Sequence, residues 1–458
     1  MRDFSVVNSI AQRIPHHIVY AAAGMIVVAG PLQRPRSLPP RVHVAVWRDL
    51  DVLGPEGTVL SVSRLLTGAT SEGDALRYER QSNRLPSHLL HYSSDKKPVV
   101  VWTSTHRCNL HCVHCYTDSF DREYPGELST ADAFAMVDDL AAFGAPVLLI
   151  SGGEPFRRPD VEDVAAYAIE RGMRVVFSTN GTLITPERAA RLATLGISYV
   201  GISIDGRAAT HDRFRGVPGA FDASLSAVAA CRDAGLKTGL RFTLTRSNQQ
   251  DLPWLFDLMR AYNVPRLCVY HLAPTGRGAR IQKFAPEPTE TRAALDYIFA
   301  RVQELAAEGF ETEVLTADNH ADAAYLWMQV AREQPERADS VRQLLRWNGG
   351  NQSGEAIACV DADGSVYCDQ FWRWRPLGNV RSQPFSEIWG GSNPPELLRA
   401  LRDRTSLLPA RCQGCRFLDL CNGNFRSRAE ATTGDIWGED PLCYLTDAEI
   451  TEQVPNGR

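Results

Sequence analysis

Residues 97–116 read KPVVVWTSTHRCNLHCVHCY. The run PVVVW (98–102) is short, apolar and β-branched, as a buried strand is, and the text after it puts Cys108, Cys112 and Cys115 on one loop. The same grammar repeats downstream. Apolar runs at 146–151 (PVLLIS), 173–178 (MRVVFS), 199–205 (YVGISID), 237–245 (KTGLRFTLT) and 266–272 (RLCVYHL) alternate with helix-period segments such as TADAFAMVDDLAAFG (130–144) and PDVEDVAAYAIERG (159–172). Strands alternating with helices predict parallel strands in an α/β barrel or open partial barrel, with functional loops after the strands' C-terminal ends.

Outward from this repeat, residues 285–345 read as helical, and a cysteine-bearing region runs from about 350 to 446. Upstream, residues 61–97 open on a short amphipathic segment (VSRLL) and form a lead-in expected to pack on the barrel. Residues 1–60 carry Pro-rich text (PLQRPRSLPP, 31–40) and Gly54-Pro55-Glu56-Gly57, the punctuation of linkers and loosely held termini. The expected organisation is an N-terminal extension (1–60), lead-in (61–97), partial barrel (98–284), helical bridge (285–349) and cysteine domain (350–458).

Composition bounds the function. The 458 residues suffice for about two to four domains, and 44% hydrophobic with 22% charged residues is globular usage. A net charge of −5 gives no general affinity for nucleic acid or membrane surfaces. The apolar stretch Ile18–Leu32 is shorter than the about 20 residues a bilayer span needs. A secretory signal ending near Ala29-Gly30 suits the cysteines poorly, so a buried strand or unstructured extension is expected there. Eleven cysteines, seven of them grouped as Cys108/Cys112/Cys115 and Cys412/Cys415/Cys421/Cys443, read as metal chemistry in a reducing compartment, the cytoplasm.

Three thiolates on one loop can hold three irons of a cubane cluster and leave the fourth open, whereas four close a cluster. An open site separates a reactive metal centre from a structural one. The alternative is a zinc knuckle with His106, His111 or His114 as fourth ligand; for the second group it is a zinc ribbon. Cys231 and Cys268 fall in helix and strand text and read as core thiols. Cys359 and Cys368 flank the turn Asp361-Ala-Asp-Gly364 and read as structural or substrate-facing rather than ligating.

The CxxxCxxC-aromatic motif ending at Tyr116 resembles the radical S-adenosylmethionine (SAM) superfamily. That resemblance implies a partial (β/α)6 barrel, a SAM-binding 4Fe-4S cluster on Cys108, Cys112 and Cys115, and SAM contacts after successive strands. Gly152, Gly153, Glu154 and Pro155 match the family's GGEP element, with Glu154 accepting from the SAM ammonium. Ser178 and Asn180, then Ser203 and Asp205, match the positions near the sulfonium and ribose; Arg241 would pair with the carboxylate and Leu272 would lie by the adenine. Cys412-x2-Cys415-x5-Cys421 with Cys443 resembles the auxiliary-cluster segment of SPASM domains, implying a second, closed 4Fe-4S cluster. Full SPASM domains carry a further cysteine where this chain has Phe425.

Over residues 61 to about 450 the text is similar to the SPASM-type enzymes of haem d1 and alternative haem biosynthesis, through segments such as CNLHCVHCYTDS, VLLISGGEP, TGRG, DQFW and CNGNFRSRAE. This implies reductive cleavage of SAM to a 5′-deoxyadenosyl radical and oxidative removal or conversion of propionate or acetate arms on an iron tetrapyrrole. A low-potential donor such as ferredoxin or flavodoxin would supply the electron, with no nucleic acid or membrane partner. Arg213, Arg215, Arg277 and Arg280, on expected loops at the barrel mouth, are candidates for the substrate carboxylates. These relatives usually carry His-Pro-Asp ahead of the Phe-Trp pair, whereas this chain has Tyr367-Cys368-Asp369-Gln370 before Phe371-Trp372. A maturase acting on a ribosomal peptide or another cofactor is the second reading, and a non-catalytic iron-sulfur or zinc protein the third. Similarity begins near Val62, so residues 1–58 are expected to be an accessory segment or to arise from an upstream start codon, and a truncation near Val62 is expected to keep both clusters.

Overall fold

The computed structural model describes residues 18–22, 25–29, 60–68, 97–310 and 312–451. The chain divides into two compact units, Met1–Val52 and Leu53–Arg458. In the first, β1 (Ile18–Ala22) and β2 (Met25–Ala29) pair antiparallel with Ile18 opposite Ala29. The apolar stretch thus contains two paired strands rather than a single one.

In the second unit, the six expected strands form and lie side by side in chain order, all parallel: β4 (Val99–Thr103), β5 (Val147–Ser151), β6 (Arg174–Thr179), β7 (Tyr199–Ser203), β8 (Thr238–Leu244) and β9 (Arg266–His271). Alternation along each strand splits the core in two. Val100 and Trp102 of β4, with Leu148 and Ile150 of β5, join the large cluster under the helices. Val99, Val101, Val147 and Leu149 point to the inner face and pack with Val176 and Tyr199. Burial on both faces explains why these strands read as continuous apolar runs.

The connections are helical. After α1 (Val62–Thr67) come α2 (Thr130–Phe143) between β4 and β5, α3 (Val161–Glu170) before β6, α4 (Pro186–Leu195) before β7, α5 (Ala208–Arg215) and α6 (Ala220–Asp233) before β8, and α7 (Leu252–Tyr262) before β9. Helix α2 begins at a capping box in which the Ser129 hydroxyl accepts from Asp132 N–H and the Asp132 carboxylate accepts from Ser129 N–H.

Two expectations need correction. The segment 285–345 is not wholly helical: between α8 (Pro288–Ala307) and α9 (Ala321–Glu333), β10 (Glu313–Ala317) pairs parallel with β9. After α10 (Ala338–Asn348), β11 (Ile357–Val360) pairs parallel with β4, and β12 (Ser365–Tyr367) and β13 (Gly378–Asn379) extend that edge antiparallel. The C-terminal region therefore continues the barrel's own sheet. At the other edge β3 (Leu60–Ser61) pairs antiparallel with β10, and α1 packs on α8 and β10, so the start of the lead-in packs on this extended sheet. A truncation at Val62 would remove β3, and the cut belongs before Leu60. Residues 69–96 lie outside the described residues. Among those described, no helix is long and apolar enough to cross a membrane.

Beyond β13 the chain breaks into short helices, including α11 (Phe385–Gly390), α12 (Glu396–Arg402), α13 (Ala410–Gln413), α14 (Leu418–Cys421), α15 (Arg426–Thr433) and α16 (Asp447–Thr451). They carry the second cysteine group.

Candidate functional site

At the C-terminal ends of the parallel strands lies a cavity. Cys108, Cys112, Cys115 and Tyr116 line it from the loop after β4, Gly152 and Gly153 from the end of β5, and Ser178 and Asn180 from β6. Ser203 comes from β7, Arg241 from β8 and Leu272 from the end of β9. Eleven of the residues expected to hold a cluster and SAM are thus brought to one surface, because each sits at the same end of consecutive strands.

The three thiols are free and have donors directed at sulfur: Leu110 N–H reaches Cys108 Sγ at 3.4 Å, Arg215 Nη1 reaches Cys112 Sγ at 3.5 Å, and Ser119 N–H reaches Cys115 Sγ at 3.5 Å. Burial pushes the Cys108 and Cys112 thiols up. A metal that took them would bind thiolates, and the directed donors suit that charge, so the loop fits an iron cluster. Among the described residues no three His, Cys, Asp or Glu side chains converge on a point that could hold a single ion. His106 instead meets Asp361 at 2.9 Å, His111 is exposed, and His114 packs on Phe214 with ring centroids 4.5 Å apart.

Glu154, Pro155 and Asp205 do not line the cavity. Glu154 is fully buried; Oε1 accepts from Thr179 Oγ1 at 2.7 Å and Oε2 from Asn180 N–H at 2.8 Å, which ties the end of β5 to that of β6. Burial pushes its carboxyl up despite these donors. Glu154 therefore braces Asn180 from beneath. The glycines ahead of it serve a close backbone approach: a Cβ on Gly152 (φ 135°) would stand 2.5 Å from Thr105 O, and one on Gly153 would overlap Arg107 O. Gly153 N–H donates to Thr105 O and Glu154 N–H to Arg107 O, both at 2.8 Å, so this turn holds the start of the cysteine loop.

Asp205 is likewise turned to the protein. Its Oδ2 meets Arg215 Nη2 at 2.5 Å and its Oδ1 accepts from Thr243 N–H at 3.1 Å. Against the upward push of burial, Arg215 together with His114 and His211 holds the carboxyl below the usual carboxylate range. Burial lowers His211 to about 4 and leaves it neutral at pH 7, so its Nδ1 accepts from Asp205 N–H at 3.1 Å. Arg215, half of this buried pair, reaches Cys112 with its other nitrogen.

The four arginines expected to meet substrate carboxylates are placed otherwise. They lie on α5 and on the 3-10 helix Gly276–Phe284, not on loops. Arg213 and Arg280 are exposed and away from the cavity lining. Arg215 lines it but is held by Asp205. Arg277 is buried and clamps the cysteine loop: Nε donates to Cys112 O at 2.7 Å and Nη1 to Ser119 O at 2.9 Å, while its own N–H donates to Cys115 O. Gly276 (φ 57°) admits this contact, since a Cβ there would stand 2.5 Å from Cys115 O. The TGRG segment carried that signal as a glycine preceding a cation, but nothing in it named the partner.

Among the lining residues that sequence reasoning missed are Asp318 after β10 and Gln370 and Phe371 after β12. The departure at Tyr367-Cys368 lies off the cavity: both are buried, Tyr367 on the inner face with Cys359, and Cys368 in the large core. Phe425, where a cysteine was expected, packs edge-on against Phe371 at 5.4 Å. Cys231 and Cys268 are core thiols.

The second cysteine group sits on α13 (Cys412), the link to α14 (Cys415), α14 (Cys421) and the segment before α16 (Cys443). Its four thiols are half-buried and within electrostatic reach of one another. Burial, then Cys443, Cys412 and Cys415, push Cys421 well above the ordinary thiol value. Arg411 Nη1 reaches Cys443 Sγ at 3.4 Å and Phe417 N–H reaches Cys415 Sγ at 3.4 Å. Gly350 (φ 64°) lies against the Cys421 backbone, and Asn351 N–H donates to Cys421 O at 3.1 Å. Cys359 and Cys368 have no part in this group's mutual charge effects.

Known proteins share this arrangement. The profile of the Radical SAM superfamily matches residues 102–259, and that of SPASM, an iron-sulfur cluster-binding domain, matches residues 352–416. The chain is 52% identical to Fe-coproporphyrin III synthase of Methanosarcina barkeri over 86% of its own length and 99% of the relative's. It is 42% identical to pre-heme d1 synthase of Dinoroseobacter shibae over 77% and 87% of the two chains. Among solved structures, Streptococcus suis SuiB bound to S-adenosylmethionine is similar in fold, with a TM-score of 0.59 at 16% identity over 76% of this chain and 77% of SuiB.

Proposed function

The chain belongs to the radical SAM superfamily, and from that premise we propose that it acts on the carboxylate arms of an iron tetrapyrrole in haem or haem d1 biosynthesis. The family brings SAM and a 4Fe-4S cluster, and the SPASM domain an auxiliary cluster. The observation that carries the substrate is the 52% identity to Fe-coproporphyrin III synthase across 99% of that relative's length.

Bound at the cavity, the cluster and SAM supply one-electron cleavage and hydrogen-atom abstraction. The protein's own contribution is to orient and to exclude water. In this reading Cys108, Cys112 and Cys115 hold the cluster on a loop kept rigid by Arg277, Arg215 and the Gly152–Gly153 turn. Asn180, braced by Glu154, and Ser178, Ser203 and Arg241 present polar groups for SAM. Arg241 lies over the Tyr270 ring at 4.4 Å, which fixes its guanidinium at the cavity wall. The half-buried Cys412, Cys415, Cys421 and Cys443 would hold the auxiliary cluster, which would supply a one-electron acceptor there. A ferredoxin or flavodoxin is the fitting reductant, and eleven free thiols fit the cytoplasm.

Anaerobic reconstitution, iron analysis and product masses test this. About eight irons, four for each cubane, with 5′-deoxyadenosine formation and loss of carboxylate mass from iron coproporphyrin or didecarboxysiroheme, is the expected result. Zinc in place of iron, or conversion of a candidate peptide and of neither macrocycle, overturns it.

A further inference from the structure

A second concavity opens beside the cavity, lined by Tyr116, Thr275, Ala279, Arg373, Trp374 and Ala431 among others. Tyr116 lines both, and one stretch of chain passes between them: Gln370 and Phe371 face the cavity, Arg373 and Trp374 the groove. Tyr116 and Phe371 meet edge-on at 5.2 Å where the two spaces adjoin.

Trp374 is 43% exposed, more than any other large hydrophobic among the described residues. Its ring is nonetheless fixed. Nε1 donates to Glu430 Oε2 at 2.8 Å, the oxygen that also accepts from Trp372 Nε1 at 2.6 Å, and Arg375 Nε donates to Glu430 Oε1 at 2.6 Å. Trp372 is fully buried and anchors the strand of side chains. One carboxylate thus holds two indoles and a guanidinium, and fixes the Trp374 ring without covering it. Folding gains little from an indole left in water, whereas a pre-positioned aromatic face lowers the entropy of binding a flat ligand. Beside it, Arg373 Nη2 donates to Asp361 Oδ2 at 2.5 Å and meets His106 Nε2 at 3.0 Å, and its buried Nη1 has no hydrogen-bond partner. Inside the cavity Gln370 Oε1 is also without one. Asp118, the acidic residue of the groove, is paired with Arg277 at 3.1 Å.

We infer that this groove is the macrocycle subsite: the tetrapyrrole plane rests on Trp374, one carboxylate meets Arg373, and a second arm passes Tyr116 and Phe371 into the cavity beside Gln370. This rests on the tetrapyrrole reading above and says where that substrate sits. Trp374, Arg373 and Gln370 are positioning residues in it.

The test is an anaerobic titration of the reconstituted full-length enzyme with iron coproporphyrin III, read by its Soret shift and by quenching of tryptophan fluorescence. Trp374→Ala should raise the Kd at least tenfold, and Trp374→Phe, which keeps an aromatic face, about threefold or less. KM for the macrocycle should rise more than kcat falls. Ala279→Trp, which fills the groove from its other wall, should weaken binding as well, with iron content as the check on folding. A Kd within twofold of the wild type for both Trp374→Ala and Ala279→Trp overturns the subsite. A wild-type enzyme that binds no macrocycle overturns the substrate reading itself.

Discussion

The two cysteine groups of this protein are built in opposite ways. The first lies on a loop between β4 and α2, faces a cavity, and is enclosed by groups that reach it from elsewhere in the sheet: Arg215 on α5, Arg277 after β9 and the Gly152–Gly153 turn after β5. The second lies on helices of four residues and a following loop, its thiols half-buried. Its side-chain sulfur contact stays within the C-terminal region, from Arg411 to Cys443, and Phe417 N–H reaches Cys415 from two residues away. Hydrogen abstraction requires a centre closed to water, whereas electron exchange requires one near the surface. The difference in enclosure matches the difference in task.

The comparison can be broken most directly at the thiols. Cys112→Ala should lower SAM cleavage by roughly 10³-fold or more, the scale of losing an essential group, with 5′-deoxyadenosine measured by chromatography. Cys415→Ala should leave cleavage within a few fold and abolish macrocycle product. Equal loss of cleavage in both would mean that the groups do not divide the work.

Each region also rests on a buried ion pair, Arg215 with Asp205 and Arg428 with Asp440. Asp205→Asn and Asp440→Asn each leave an arginine without its counter-charge, at about 3–5 kcal/mol, visible as a lower denaturant midpoint. Because Arg215 also touches Cys112, Asp205→Asn should in addition deplete iron from the first cluster selectively, as read by EPR. Asp440→Asn should not.

Acid should act on both regions through neutral imidazoles. Burial lowers His211 to about 4 and His320 to about 3. A depressed histidine stabilises the fold fully above its unfolded value near 6.5, and that stability is lost as pH falls toward the folded value. Each should therefore contribute a loss of about 1.4 kcal/mol per pH unit below 6.5. His211→Gln and His320→Gln should each flatten the dependence of the denaturation midpoint between pH 7.5 and 5.5. The smallest effect belongs to the surface: Arg346 pairs with Asp419 at 2.6 Å while 49% exposed, so Arg346→Ala should change stability by less than about 1 kcal/mol and iron content not at all.

Much of the fold and of the candidate site was legible in the sequence. Strands β4–β9 were readable because burial on both faces demands unbroken apolar runs, and the seven clustered cysteines because metal binding by a short loop demands close spacing. Strands β10 and β11 were not: TEVLT is a short, partly polar run after a long helix, and β11 gains its identity from β4, far earlier in the chain. Arg277 read as a cation for substrate because a guanidinium looks the same whether it meets a substrate carboxylate or two loop carbonyls. Glu154 and Asp205 read as ligand contacts because their positions at strand ends were right, although their side chains turn to Asn180 and Arg215.

The order of residues alone carried the inventory: three thiols on one loop, four in a second group, and a strand-helix repeat that brings its loops to one end. These depend on spacing within a few residues, where chain geometry leaves little choice. Only the tertiary structure decided which polar side chains face the cavity and which face each other, and that an exposed, clamped Trp374 stands beside it. Those outcomes depend on the pairing of strands hundreds of residues apart and on which groups burial forces into partnership, and no local pattern carries either.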